Sequence, residues 1–585
     1  MALNSERDMT MIKSRAIRLK LAHINDTHSY FEPTSLQLNI NIDETEATPF
    51  VSAGGFARIK TRVEDLKQQA FASQQGFLFL HAGDCFQGTL YYSLFKGEAN
   101  STLLNQLGLD AMAVGNHELD MGNLPVAEFA NRIDFPLLAG NWDLSNEIST
   151  KPVTLSGNPS VYSYKPSTQS AQWIVKHVDQ EPIAIFALAL DKMADISNPD
   201  VDTPFVNAIE TARNTVNEIH KAGINKIILL SHMGYEADLD FANHVTGVSL
   251  IVGGHSHVLQ GDFSQLGLGN SDPYGIKVND THIVQAGFHA LALGHCDIEF
   301  DQYGRISQFV GKNELLLGRR LFVDTSRSQS WQDVDYKRIK DLVDGHPNVM
   351  ICRKDPTIKL ILKERYQARV SVMQQTYIAS TKRKLRHVRI PGEQGGSDIA
   401  PLVAESFMYA LNQQGHPIEF AIHNAGGVRN SLNQGLISVA DIAGKVLPFL
   451  VPVGFYQIKG KYIAQIIEGA INNATNNGVD GTGSGSYPYT ANLRFSYNAL
   501  APIGERISMV EILNDKGWHP IEAERCYTGS SSAYTMKGKE GYEAILNMVG
   551  EGQVTNLSMA DCFIQYLSDK PQILEQNPRM SDDNG

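Results

Sequence analysis

The chain lacks any apolar run approaching the roughly 18 residues of a membrane helix, any block of basic residues, and any CxxC pair. No membrane span is expected. Its five cysteines (Cys85, Cys296, Cys352, Cys526 and Cys562) are odd in number and scattered, which argues against a disulfide framework and a thiolate zinc site. A net charge of -13 without a basic stretch argues against a general nucleic-acid surface, so no nucleic-acid partner is expected. Met1 to Lys20 carry charges and no apolar signal core. The expected location is the cytoplasm, or the periplasm or another exported compartment if a leader has been removed. The composition sets no oligomeric state.

What is present is an ordinary apolar fraction of 42% spread over 585 residues, too many for one core, so two large domains or three small ones are expected. The first half reads as buried strands, each ending at a polar residue beside a turn. Residues 17–24 end at Asn25-Asp26-Thr27-His28, Phe77–Leu80 at His81-Ala-Gly83-Asp84, and Ala111–Val114 at Gly115-Asn116-His117-Glu118. Lys226–Leu230 end at Ser231-His232, Ser249–Val252 at Gly253-Gly-His255-Ser-His257, and His282–Gln285 at Ala286-Gly287. Taken singly, these endings have ordinary explanations: an Asx turn or helix cap at Asp26, hydrogen-bonded surface histidines at 255 and 257. Together they follow the rule that α/β folds build sites at the carboxyl ends of strands.

The collected side chains mix carboxylate, imidazole and one amide. That set suits Zn, Mn, Fe or Co better than Mg. It is too large for one tetrahedral ion, whereas two ions about 3.5–4 Å apart, bridged by a carboxylate, use it fully and favour phosphate-ester hydrolysis. Between these blocks, 143–180 read as loops, Pro182–Leu188 as a strand, 205–222 as a helix and 262–278 as a loop, while Ser52–Lys60 open a helix reaching about Gln69. Trp331 to Val349 read as charged and irregular. Asp355 to about Thr376 fit one helix with Ile358, Leu360, Ile361, Leu362 and Val370 on one side.

The strings Ile24-Asn-Asp-Thr-His-Ser29, Gly83-Asp84, Gly115-Asn-His-Glu-Leu-Asp120, His232 and Val252-Gly-Gly-His-Ser-His257 resemble the ordered motifs of calcineurin-like metallophosphoesterases, and within them the 5'-nucleotidase family with its bacterial UDP-sugar hydrolases. The resemblance implies one ion on Asp26, His28, Asp84 and His257, and a second on Asp84, Asn116, His232 and His255, with Asp84 bridging. It makes His117 the catalytic group that contacts the phosphate, and Asp120 the partner that fixes its tautomer. Read as sequence alone, Asp120 is also a residue favoured at a helix N-terminus.

The second half holds Gly395–Ala400 opening a helix to about Leu411, then a strand (418–422) and His423-Asn-Ala-Gly-Gly-Val-Arg429, whose glycines and arginine suit a phosphate or carboxylate, or else mark a bare turn. The stretch resembles the Asn-x-Gly-Gly-x-Arg motif of the 5'-nucleotidase C-terminal domain, which implies that Arg429 faces substrate. The same resemblance implies a nucleobase clamp of Phe449 and Tyr534, with Gly485 passing close to the nucleoside and Glu540 accepting from the ribose. Three departures stand against it: Leu450-Val451 follows the clamp phenylalanine where the family has Gly-Asn, Gly538-Lys-Glu-Gly541 replaces Gly-Gly-Asp-Gly, and Asp398-Ile-Ala400 replaces Asn-Leu-Gly.

The expectation is therefore an α/β chain: a four-layer α/β/β/α metallophosphoesterase sandwich (15–352), a linker helix (353–376) and an α+β 5'-nucleotidase C-terminal domain (377–585). With two divalent ions (Zn, Mn or similar), it is expected to be a hydrolase of nucleoside 5'-monophosphates. The alternatives are a nucleotide-sugar or dinucleotide pyrophosphatase, a 2',3'-cyclic-nucleotide phosphodiesterase, or, in another class, an inactive binding protein.

Overall fold

The computed structural model describes residues 14–42, 45–322 and 333–575. Contacts divide the chain into two compact units. One holds the residues up to Phe86 and Phe95–Tyr366; the other holds Gln87–Leu94 and the residues from Gln367 onward.

The first unit is built on two sheets. The strand Ile17–Ile24 lies in the middle of a 10-stranded sheet. It pairs in parallel with Gly76–His81, which pairs in parallel with Ala111–Ala113, while Ala292–Phe300 runs antiparallel on its other side. The second sheet has the order Ile174–Val178, Glu181–Ala189, Lys226–His232, Leu250–Gly253, Thr281–Val284 and Ile276–Val278, with its central strands parallel.

Period-two alternation sets the layers. In Lys226–His232, Ile228 and Leu230 enter a core shared with Leu19, Leu21, Leu80 and Ala113 of the first sheet. Ile227 and Leu229 point the other way, against Ala212, Val216 and Ile219 of the helix Ala208–Lys221 and Phe241 of the helix Tyr235–His244. The helix Phe56–Ala72 packs on strands Ile17–Ile24 and Gly76–His81. The result is helix, sheet, sheet, helix, as expected. Each buried Leu or Ile contributes roughly 1.5–3 kcal/mol, so the shared core fixes both sheets and aligns the carboxyl ends of their parallel strands.

Four local readings are corrected. Ser52 and Ala53 close the strand Phe50–Ala53, and the helix starts only at Phe56, because Gly54 and Gly55 turn the chain with φ of 67° and 86°. Ile174–Val178, read as loop, is an edge strand of the second sheet; its exposed Val175 and polar Lys176 and His177 hide the alternation. Asp333–Gly345 is a helix rather than an irregular stretch, its apolar side made by Ile339 and Val343 with partly buried Leu342 beside them, while Trp331 and Gln332 lie outside the described residues. The 355–376 region is helical, but it passes through a π turn at Leu362–Tyr366. Its buried face is Ile358, Leu362, Tyr366 and Val370, and Leu360, expected on that face, is 53% exposed. Asp355 caps the helix by accepting from the Ile358 N–H, with Pro356 in the first turn.

No helix among the described residues is long and apolar enough to cross a membrane.

The second unit is α+β. A five-stranded sheet has the order Pro488–Ala491, Phe420–Asn424, Cys526–Ser532, Pro452–Lys459 and Gln553–Ser558, and mixes parallel with antiparallel pairs. The helix Ala400–Gln413 buries Val403, Ala404, Phe407, Ala410 and Leu411, a helical stripe, and packs on Met559–Asp569. The strand expected at 418–422 runs two residues later, Phe420–Asn424, so that Asn424 itself ends the strand.

Candidate functional site

The loop after Ile17–Ile24 and the loop after Gly76–His81 are laced together by their backbones. The N–H groups of Asp26, His28 and Ser29 donate to the carbonyls of Gly83, Asp84 and Cys85 at 2.9, 3.0 and 2.9 Å. Holding this register takes Asp26, His28, Ser29 and Asp84 into positive φ (48°, 47°, 56° and 59°). Left-handed backbone at four residues bearing Cβ atoms is a strain that surrounding structure must hold, and such strain gathers at functional sites.

Two groups of metal-ligating atoms result, Asp26, His28 and His257, and Asp84, His232 and His255, each set lying within 4.8 Å of one another. In the first, His28 Nδ1 sits 3.2 Å from the Phe86 carbonyl, so that nitrogen carries the proton and Nε2 presents a lone pair. His28 Nε2 lies 3.1 Å from His257 Nε2, and His257 Nε2 lies 3.5 Å from Asp26 Oδ1. Burial pushes the His28 pKa down to about 3, so the ring is neutral near pH 7.

In the second group, Asn116 Oδ1 faces His255 Nδ1 at 2.8 Å and His232 Nε2 at 3.2 Å, while Asp84 Oδ2 stands 3.2 Å from His232 Nε2. His232 Nδ1–H donates to the Ala82 carbonyl at 2.7 Å, which turns Nε2 inward. Burial opposes charge on His232, yet the Asp84 and Asp26 carboxylates outweigh it and lift its pKa to about 10. The pocket thus draws a positive charge to this nitrogen, and converging imidazole nitrogens, carboxylates and an amide oxygen are a donor set that a pair of divalent ions fits. Gly115 permits the close approach: a Cβ there would lie 2.2 Å from Asp84 Oδ1.

His117 opens a short 3-10 turn, His117–Leu119, and its N–H donates to Asp84 Oδ1 at 2.8 Å. Its Nδ1 is 2.6 Å from Asp120 Oδ2, and the other Asp120 oxygen accepts from Ser197 Oγ at 3.1 Å. The ring stands edge-on to His28, with centroids 5.2 Å apart, and its side chain remains 21% exposed. All the residues singled out in this unit (Asp26, His28, Asp84, Asn116, His117, Asp120, His232, His255 and His257) are therefore brought into one neighbourhood.

Two supports had no role in the sequence reading. Glu118, fully buried, accepts from four backbone N–H groups: Asp84 and Cys85 at 2.9 and 2.7 Å, Phe86 at 3.0 Å and Gly115 at 2.7 Å. One carboxylate thus clamps the Asp84 loop to the Asn116–His117 loop. Nearby, the Gly83 N–H donates to His81 Nδ1 at 3.1 Å, which leaves the His81 Nε2–H to meet Thr27 Oγ1 at 3.0 Å, tying the first loop to the second. Substituting Glu118→Gln keeps the shape but aims an NH₂ at N–H donors. Losing about two of four bonds is expected to cost about 2–5 kcal/mol, and the denaturant midpoint of the variant checks this.

In the second unit, Ala425–Gly427 form a 3-10 turn after Asn424, and Arg429 follows. The Arg429 guanidinium carbon lies 4.6 Å from the Phe449 ring centroid. Gly485 backs on that turn, its Cα 3.2 Å from where a Cβ on Gly426 would stand. Half-buried Tyr534 leads into the turn Thr535–Lys537, whose Thr535 Oγ1 bonds Asn424 Oδ1 at 3.3 Å. Glu540 takes φ 57°, and nearby Tyr542 bonds the Ser486 carbonyl at 2.7 Å. The loops bearing Arg429, Gly485, Tyr534 and Glu540 are thus neighbours.

Arg389, absent from the sequence reading, joins them. Burial, then Arg389 and Arg429, depress the His387 pKa to about 4, so two guanidiniums share this corner. The departure at Asp398 has a structural reason: its carboxylate accepts from the Arg386 N–H at 2.8 Å and pairs with Arg383 at 3.1 Å.

Comparison with known proteins agrees with this architecture. A calcineurin-like phosphoesterase model matches residues 19–259, and a 5'-nucleotidase, C-terminal domain model matches 377–547. The chain is 29% identical over 579 residues to the probable 5'-nucleotidase of Treponema pallidum, covering 95% of this chain and 93% of that one. It is 27% identical over 581 residues to the NAD 5'-nucleotidase of Haemophilus influenzae, covering 95% of this chain and 91% of that one. Among solved structures, the 5'-nucleotidase precursor from Thermus thermophilus superposes with a TM-score of 0.70 at 28% identity, covering 94% of this chain and 96% of that chain. With both domain models in place and relatives alike along nearly their whole length, the chain belongs to the 5'-nucleotidase family of calcineurin-like metal-dependent phosphoesterases.

Proposed function

We propose that the protein hydrolyses nucleoside 5'-monophosphates to nucleoside and phosphate, with 15–352 as the catalytic domain, 353–376 as the connecting helix and 377–585 as the substrate domain. The observation that carries this reading is the pair of three-residue ligand groups flanked by the His117–Asp120 pair. Asp26, His28 and His257 would hold one divalent ion and His232, His255 and Asn116 the other, with Asp84 shared; the nitrogen-rich set favours Zn or Mn. Bound there, the ions supply Lewis-acid polarisation of the phosphoryl group and a lowered pKa for the attacking water.

The chain's own residues do the rest. His117 presents its outer nitrogen to a phosphoryl oxygen, and Asp120 keeps the proton on Nδ1 and balances charge on the ring. Arg429 and Arg389 supply cationic contacts to the substrate's anionic part. Phe449 and Tyr534 supply aromatic faces for a base, Gly485 lets the backbone run beside the nucleoside, and Glu540 accepts from ribose hydroxyls. Arg429→Ala is expected to lower kcat/KM for AMP about 10–100-fold, with metal content unchanged.

A second reading, cleavage of a dinucleotide pyrophosphate, is favoured by the name of the H. influenzae relative, NAD 5'-nucleotidase. Product analysis with AMP, UDP-glucose, NAD and 2',3'-cyclic AMP, under Mn²⁺, Zn²⁺ or EDTA, tests both. Chelator-sensitive release of phosphate from AMP supports the first, and turnover confined to NAD or UDP-glucose replaces it with the second.

A further inference from the structure

The turn Phe288-His289-Ala290 reaches the first ligand group from a strand end that carries none of the ligands above. His289 and Ala290 both take positive φ, 55° and 54°, although each bears a Cβ. Three contacts hold this conformation. The His289 N–H donates to the Asp26 carbonyl at 2.8 Å, the Gly55 N–H donates to the Ala290 carbonyl at 3.1 Å, and the Leu291 N–H donates to the Phe288 carbonyl at 3.2 Å. The turn presses so closely on Gly54 that a Cβ there would lie 2.4 Å from the Ala290 oxygen.

The side chains show what the strained turn delivers. Phe288 stacks on the His257 ring, with centroids 4.9 Å apart and planes 18° apart, and so orients it. The His289 ring stacks on Tyr30 at 3.8 Å and 17°. It stands 5.8 Å from the His28 ring and 6.3 Å from the His257 ring, and it is only half-buried. Packing alone would be served by an apolar ring on Tyr30 in a relaxed turn. An imidazole carried in a left-handed one places an N–H donor beside the metal-ligating histidines, where a phosphate ester is to be held.

We propose that His289 is a substrate-contacting residue that donates to a non-bridging phosphoryl oxygen, with Tyr30 fixing the plane of its ring; the assignment rests on the phosphohydrolase reading above. It adds an anion contact beside the first ligand group, where the ring stands 5.8 Å from that of His28.

The test titrates inorganic phosphate into the full-length, metal-loaded protein by calorimetry, beside AMP kinetics. His289→Gly removes the ring while suiting the left-handed backbone, and His289→Gln restores an N–H donor. The expected result is a phosphate Kd weakened about tenfold in His289→Gly, the size of one charge-assisted hydrogen bond. The KM for AMP rises with it, His289→Gln recovers most of the loss, and metal content and melting temperature stay unchanged. Unchanged phosphate affinity in His289→Gly overturns the proposal. So does a loss of affinity that tracks loss of metal, which would reduce His289 to a support of the centre, or failure of the wild-type protein to bind phosphate at all. If the wild type binds phosphate but cleaves no nucleotide, the functional reading fails while the Kd comparison still decides His289.

Discussion

Asp84→Ala is expected to remove hydrolysis by a factor on the order of 10⁴ or more, because a residue acting as part of a catalytic unit takes most of the unit with it. Three separate jobs meet at this carboxylate. One oxygen faces His232 Nε2 at 3.2 Å, the other accepts the His117 N–H at 2.8 Å, and the chain around it is held in a left-handed conformation by the Glu118 clamp. Alanine therefore strips a negative charge from a buried cluster whose remaining members are mostly imidazoles, and frees the loop that carries His117. Elemental analysis should show fewer than two ions per chain beside the lost phosphate release. Two tightly held ions together with near-normal turnover would disprove the shared role given to Asp84. Asp84→Asn separates charge from shape, since the amide fills the space but cannot balance two cations.

His117→Ala is expected to lower kcat about 10²–10³-fold, the usual cost of losing one donor to transition-state charge, while both ions stay bound. The ring points its Nδ1 at a carboxylate, whereas His28 and His232 point theirs at backbone carbonyls: Asp120 lies 2.6 Å away, itself steadied by the Ser197 hydroxyl. Asp120→Asn should fall in the same direction by less, since the amide can still accept the Nδ1 proton but no longer balances charge on the ring. Steady-state kinetics with metal quantified on the same samples reads both. A His117→Ala variant that loses its ions would place this histidine in the ligand set instead.

How much of this was legible in the residues depends on what kind of interaction each one makes. Asp26, His28, Asp84, Asn116, His232, His255 and His257 announce themselves because their side-chain chemistry is unusual at strand ends, and because the strands bearing them have clear alternation. Glu118 lies inside the same quoted string, yet three of its four partners are backbone N–H groups more than thirty residues away, and no residue type marks where such groups will be. His289 is hidden for a related reason: its meaning lies in a positive φ and a ring stack, neither of which a composition or a period reveals. The helix Asp333–Gly345 does not stand out from its charged residues, because the apolar stripe of Ile339, Leu342 and Val343 is too narrow to set a period. Leu360 faces out although it is apolar, because Ile358, Leu362, Tyr366 and Val370 recur every four residues and define the buried stripe.

The Glu118 clamp also sets which substitutions this neighbourhood can absorb. Its donors are main-chain groups of residues 84, 85, 86 and 115, so any amino acid except proline supplies the same N–H at Cys85 or Phe86. The acceptor has no such freedom, because only a carboxylate offers two oxygens with enough lone pairs for four donors at that reach. The clamp thus concentrates its whole demand on one side chain. Of the positions it serves, Asp84 and Gly115 are fixed by roles of their own, whereas Cys85 and Phe86 answer to the clamp only through a main-chain N–H, so the two loops keep their spacing when those two side chains are exchanged.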